Sequence, residues 1–397
     1  MRKTRNVEGI MSKVLNIVID PGFDGGKIVI NKKVFHVPFI CQDIEDEKDD
    51  YQYRRRGEDY ISCIYEGRNY VVGKMARTLL LTKAKRDGRR EAMDEFYNIN
   101  RFNTKLFEVC MKAQLCYAIQ RYAEITAASK KLEKLDLDKL SEYTINLGVA
   151  LPHEYENEYR DSVTELFTKN VVLTLNVGSC KPIDFDFKVS EVFSNSQAKC
   201  ALLNAILDEN GDDNEDVEIY DYLPVLVIDA GYKTIGDFEL ARDESINKGE
   251  SNTEYAMKNI NDKVAEEIRK YKPDVYGYMI EEFYEKKEIL HYLDEDKKAQ
   301  DLDVVAIKDR IVKETCDKFM EHLLKRYEEL LDIKMIVVAG GTGEVYYPYL
   351  KEYFEKERPH LKGKIILSES KMDGEEYGAV FAVALGMYKC LLMELGE

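Results

Sequence analysis

Two short segments of this chain carry the residue types that phosphate chemistry needs. Asp20-Pro21-Gly22-Phe23-Asp24-Gly25-Gly26-Lys27 and Asp229-Ala230-Gly231-Tyr232-Lys233-Thr234 both place Asp-x-Gly-aromatic at the end of an apolar run, about half a chain apart. Glycines there let backbone N–H groups approach phosphate oxygens as an anion nest, and an Asp at each strand end can hold a hydrated Mg²⁺. Lys27 adds a point charge suited to a β- or γ-phosphate, and Thr234 adds a hydroxyl donor. Either copy alone reads as a common turn, and it is the repetition that favours a phosphate site. A third glycine-rich stretch, Ala339-Gly340-Gly341-Thr342-Gly343-Glu344, follows an apolar run and opens a helix. Small residues there let the flat face of a purine or ribose lie against backbone, with Glu344 near the sugar hydroxyls. Two other nucleotide motifs are excluded. The spacing from Gly22 to Gly26-Lys27 is one residue too short for a P-loop, and Ile28 stands where that motif needs Ser or Thr. A dinucleotide fingerprint fails because the first turn returns into a strand, not a helix.

Strands must hold these turns. The run Val14–Ile19 is almost wholly apolar, which suits a strand buried on both faces, and the pattern predicts a meander of Val14–Asp20, Lys27–Ile30 and Val34–Ile40. A helix is expected over 103–128, capped by Asn103 or Thr104, with Leu106, Val109, Cys110 and Ala113 on one stripe. Next come a strand at Tyr143–Ala150, a helix at Asn157–Phe167, strands at Val171–Val177 and Phe185–Val192, and a helix at Gln197–Leu207. Beyond the acidic stretch Asp208–Asp216, strands are expected at Leu223–Asp229, Asp237–Ala241, Lys334–Ala339 and Lys364–Leu367. Helices are expected at about 254–270, 276–290, 304–330, Tyr347–Glu357 and Glu375–Leu395. Strands and helices alternate in both halves, the pattern of an α/β protein. Residues 43–59 are densely charged and read as a solvated insertion.

Composition narrows the function classes. The 397 residues are 45% hydrophobic and 34% charged, enough for two or more domains with buried cores. Lys and Arg number 58 against 75 Asp and Glu, a net charge of −17 that disfavours direct binding to nucleic acid or anionic membranes. No long apolar span appears and the first residues are polar, so a cytoplasmic protein is expected. The eight cysteines form no C-x-x-C pair and share no ligand spacing with the five histidines, which argues against structural zinc and fits a reducing compartment.

Taken in order, these segments resemble the actin/hexokinase/heat-shock chaperone ATPase superfamily, and within it the ParM-type bacterial actins that segregate plasmids. Asp20–Lys27 is similar to the family's first phosphate loop, and Asn146–Pro152 to its first connecting segment. Asp229–Thr234 resembles the second phosphate loop, Val338–Tyr347 the adenosine motif, and Tyr377–Lys389 the second connecting helix. The resemblance implies an α/β chain of two similar lobes of actin/ribonuclease-H-like fold around a central nucleotide cleft. Lobe I would take residues 13–225 and 375–397 with a variable insertion at about 41–102. Lobe II would take 226–374 with a variable subdomain at about 243–330, and residues 1–12 would form a disordered extension.

The resemblance also implies ATP or GTP with Mg²⁺ as ligands, and Asp20 and Asp229 as residues holding the metal's water shell. Gly22, Phe23, Asp24, Gly25, Lys27, Gly231, Tyr232, Lys233, Thr234, Gly340, Gly341 and Thr342 would line the nucleotide. Family members carry a water-orienting residue shortly after Leu-Pro; Glu154 is favoured here and Glu156 is the alternative. The family's acidic residue two places after the Thr of the second loop is Gly236 in this chain, with Asp237 one place later. The implied function is a nucleotide-dependent filament that moves plasmid DNA through a ParR-like adaptor without touching DNA itself. A superfamily kinase acting on a sugar or carboxylic acid, or a chaperone-type ATPase, would use the same phosphate loops.

Overall fold

The computed structural model describes residues 13–22, 25–44, 60–87, 99–213, 223–241, 246–293 and 296–396. The expected N-terminal extension, most of the 43–59 insertion, Phe23, Asp24 and the end of the Asp208–Asp216 stretch lie outside them. The apolar run at the start forms β1 (Val14–Pro21), and the glycines after it let the chain return antiparallel as β2 (Gly26–Ile30). Asn31 and Lys32, at φ 42° and 68°, turn it again into β3 (Lys33–Val37). A later strand, β4 (Thr144–Leu151), lies parallel to β1, and β5 (Glu191–Ser196) completes a five-stranded sheet of order β5-β4-β1-β2-β3. Ile17, Val18 and Ile19 are all fully buried, so both faces of β1 are covered, as its unbroken apolar run requires.

Helix α1 (Lys105–Ala128) starts where Thr104 accepts a hydrogen bond from Phe107 N at 3.2 Å. The expected single stripe is too narrow: Val109, Cys110, Met111, Ala113, Leu115 and Cys116 are all buried, because α1 packs against two sheets. The second of these is antiparallel, with neighbours in the order Cys41–Asp43, Arg68–Val72, Ile61–Tyr65, Val171–Val177 and Ile183–Phe187. Three strands of this sheet, Cys41–Asp43, Ile61–Tyr65 and Arg68–Val72, come from the segment read as a variable insertion. Its hairpin turns at Glu66-Gly67, where φ is 50° and 77°, the backbone that tight hairpin turns need. The single strand expected at Phe185–Val192 is two, one in each sheet. The break falls at Ser190, whose N donates to Ile145 O at 2.7 Å and whose Oγ accepts from Ile145 N.

A second five-stranded sheet of the same design follows. It contains β6 (Val225–Ala230), β7 (Ile235–Leu240), β8 (Ile246–Asn252), β9 (Met335–Ala339) and β10 (Ile365–Leu367), ordered β10-β9-β6-β7-β8. In each sheet the first strand is central, antiparallel to the second and parallel to the fourth. The chain before this sheet forms α2 (Gln197–Ile206); α3 (Met257–Arg269), α4 (Val304–Arg326), α5 (Gly341–Glu357) and α6 (Ala382–Leu395) follow. Ile260, Val264 and Ile268 of α3 and Phe319 and Leu323 of α4 share a core with Ile228, Ile336 and Val338.

Three expected helices change. The one at 276–290 shortens to Ile280–Glu285 and gives way to a hairpin of Ile289–Leu293 with Ala299–Asp303. The terminal helix starts at Ala382 because Asp373-Gly374, at φ 51° and 80°, makes a hairpin turn between Ser370–Met372 and Glu375–Tyr377. Helix α5 begins at Gly341, ahead of the expected Tyr347.

The chain divides into two compact units, one of Met1–Pro21, Gly25–Val149 and Glu158–Ser194, the other of Gly22–Asp24, Ala150–Asn157 and Asn195–Glu397. In the second unit α6 packs closely on α2: a Cβ on Gly386 would lie 1.8 Å from Cys200 O. Lys389, only 2% exposed, donates from Nζ to Asn204 O (2.7 Å), Leu207 O (2.8 Å) and Ser370 Oγ (2.9 Å), satisfying the carbonyl end of α2. Burial lowers its pKa from 10.5 to about 8. Between those values the unfolded chain holds a proton here that the folded chain has shed, so this group adds stability as pH rises. Lys389→Met is expected to lower the melting temperature at pH 7 by stranding three acceptors. Its deficit against wild type should widen from pH 8 to pH 10, and a gap that narrows over that range would refute this account.

Candidate functional site

Asp20, Gly25 and Lys27, on either side of the first turn, belong to the first unit. The side chain of Asp20, 3% exposed, sits opposite Lys27 in the β1–β2 register, with Nζ 3.8 Å from Oδ2.

 

Asn16 stands four residues before Asp20 on the same face of β1, and its Oδ1 accepts from Asn146 Nδ2 at 2.9 Å, a neutral pair on the strand that carries the charged one. Two side chains lie close against the glycines of the turn. A Cβ on Gly25 would fall 2.1 Å from His36 Nε2, and one on Gly26 would fall 2.1 Å from Gln114 Oε1. Gln114 is anchored from α1, where its Nε2 donates to Val37 O and Pro38 O, both at 3.2 Å. Arg101 donates to Pro21 O and lies over the rings of Phe102 and Phe39. Sequence reasoning missed His36, Arg101 and Gln114, since only strand register and helix packing bring them to the turn.

In the second unit, Asp229 is half-buried at the end of β6, opposite Gly236 in register. Its turn closes on itself through Gly231 N donating to Thr234 O at 2.9 Å, and Tyr232 O accepts from Lys258 N at 2.7 Å. Thr342 Oγ1 donates to Gly231 O at 2.7 Å, so the fold joins the second turn to the glycine-rich stretch that sequence spacing only suggested. Gly340 N donates to Ala379 O at 2.9 Å, and Gly341 is the first residue of α5. Glu344 accepts from Val380 N at 2.9 Å, which commits one carboxylate oxygen to backbone where the sequence reading set it beside sugar hydroxyls.

Asp237 is used differently from its neighbours. It is 2% exposed and accepts from Tyr327 OH at 3.2 Å, with His322 Nε2 at 3.2 Å and Arg326 Nε at 3.5 Å. Burial lifts its carboxyl above the usual carboxylate range, although Arg326 and His322 pull the other way. It is tied to α4 and offers nothing to solvent. Glu154 is exposed, and its Oε1 accepts from Ser251 N of β8 at 2.8 Å. The ring of His153 beside it stands edge-on to Phe238 with centroids 4.9 Å apart, and burial lowers its pKa.

Among the described residues, no group of three or more His, Cys, Asp and Glu side chains is placed to hold a metal ion, and no helix is long and apolar enough to cross a membrane. Asp20 belongs to the first unit and Asp229 to the second.

At the level of sequence, no protein-family model and no curated protein matches the chain. Solved structures of actin-like proteins, ParM proteins among them, match nearly all of it. The actin-like protein Alp7A aligns with a TM-score of 0.66 at 16% identity, over 96% of this chain and 97% of its own. The archaeal actin homologue Ta0583 in complex with ADP aligns at 0.60 and 13% identity, over 95% and 98%. The Alp12 filament structure aligns at 0.55 and 15% identity, over 96% and 99%. The chain has the actin-like fold.

Proposed function

We propose that this protein is a Mg²⁺-dependent nucleoside triphosphatase, acting on ATP or GTP, that assembles head to tail into filaments. One observation carries the reading: the Asp-x-Gly-aromatic turn recurs at the same connection, first strand to second, in two sheets of identical strand order. Backbone amides around Gly22–Gly25 and Gly231–Lys233, with Lys27, would bind the phosphates and stabilise charge as the terminal phosphoryl group leaves. Gly340, Gly341 and Thr342 would support the nucleoside. Asp20 and Asp229 would hold Mg²⁺ through its water shell, where the ion's contribution is to offset phosphate charge. Glu154 would orient the attacking water.

Assembly is supported by likeness to Alp12, whose structure is that of a filament. A heterologous contact that does not close on itself yields an open helical polymer. DNA cargo would be reached through a basic, ParR-like adaptor, because a subunit of charge −17 repels phosphate backbones. The test is right-angle light scattering after adding ATP or GTP with Mg²⁺ to purified protein. A rise followed by decay is the expected result, and silence at high protein concentration would sink the filament. Like-charged subunits should assemble better as KCl is raised, so pelleting that falls steadily with KCl would refute the electrostatic part.

A further inference from the structure

We infer that Glu344 is a positioning residue of this site. Its carboxylate holds the segment Gly378–Val380 beside Gly340 and Gly341, so that backbone and the Val380 side chain form the wall on which a nucleoside rests; the inference rests on the function proposed above. Glu344 is the fourth residue of α5, and a carboxylate in the first turn suits the positive end of the helix. It also reaches beyond that helix, since its Oε1 accepts from Val380 N, 36 residues further along the chain. A Cβ on Gly378 would lie 2.4 Å from the same oxygen, so this close approach uses the missing side chain of residue 378.

A second tie runs beside the first. Gly340 N donates to Ala379 O at 2.9 Å while Glu344 accepts from the next residue, so neighbouring groups of the segment are bonded in opposite senses and its direction is fixed. The consequence falls on Val380. This half-buried side chain has its Cγ2 3.5 Å from where a Cβ on Gly341 would be, against the glycine backbone. Thr342 Oγ1 anchors the same helix start to Gly231 O of the second turn. All of these residues belong to the second unit. Backbone and an isopropyl group offer a flat base or sugar face van der Waals contact that is equal in the ground and transition states. Glu344 therefore acts on nucleoside binding through Val380, with no contact to the sugar required.

The test is steady-state hydrolysis by the full chain, with titration calorimetry for ATP or GTP, the matching 2′-deoxynucleotide and inorganic triphosphate. Glu344→Ala removes one hydrogen-bonded tie and is expected to raise KM about tenfold, with kcat moving by no more than about twofold. Affinities for the nucleotide and its 2′-deoxy form should fall by the same factor, while that for inorganic triphosphate should hold. Glu344→Gln keeps an oxygen acceptor for Val380 N and should recover most of the loss. If Glu344→Ala fails to fold, Gly378→Ala crowds the carboxylate instead, at backbone angles of φ −67° and ψ 170° that alanine adopts, and should raise KM in the same way. The inference is overturned, with the proposed function left standing, by a smaller loss for the 2′-deoxynucleotide, a matching loss for inorganic triphosphate, a Gln variant as weak as the Ala variant, or an unchanged KM. A wild-type chain that binds no nucleotide overturns both.

Discussion

Asp229→Ala is expected to reduce nucleotide hydrolysis by about 10²-fold or more, the scale on which removing one charge-stabilising group acts in phosphoryl and acyl transfer. The residue is the last but one of β6 and is paired in register with Gly236. Asp20 stands opposite Lys27 in register, where Asp229 stands opposite Gly236. Asp229→Asn keeps the shape and removes the charge, and should lose activity nearly as completely. Both variants should bind nucleotide poorly in Mg²⁺ and keep a cooperative melt. Hydrolysis at the wild-type rate in folded Asp229→Ala would remove this residue from the site.

The second large effect is on folding. Gly340 has φ 83° and ψ 161°, a region open almost only to glycine. A Cβ there would lie 2.2 Å from Ala230 O, a backbone atom of β6 that cannot move without disturbing the second turn. Strain and overpacking together make Gly340→Ala cost about 4 kcal/mol, a large share of a domain's stability. Its neighbour supplies the control. At Gly341 the nearest atom to an added Cβ is Val380 Cγ2 at 3.5 Å, an ordinary contact. Gly341→Ala should melt within a few degrees of wild type, while Gly340→Ala should be insoluble or melt far lower. Similar melting temperatures for the two would refute the close approach at Gly340.

Elements with a strong local signal match the sequence reading closely. The strand β1 is marked by its apolar run, α1 by Thr104, and the turns by glycines whose backbone freedom is intrinsic to the residue. The hairpins at 289–303 and 370–377 carry a weaker signal. Their residues also fit a helical period, and the turn chemistry of Asp373-Gly374 outweighs it. The sheet that includes Ile61–Tyr65 and Arg68–Val72 escapes for another reason: it draws strands from distant parts of the chain, including Val171–Val177 and Ile183–Phe187.

By itself the sequence determined the α/β class, the repeated Asp-x-Gly turns and the acidic character of the surface, because these follow from residue identity and local spacing. The tertiary structure alone decided which residues stand against those turns. Register set His36 beside Lys27, a helix brought Gln114 to Gly26, and Thr342 Oγ1 reached Gly231 O across a long separation in sequence. It also tied Asp237 to His322 and Arg326 of α4. Such pairings depend on strand order and packing, which no single segment encodes.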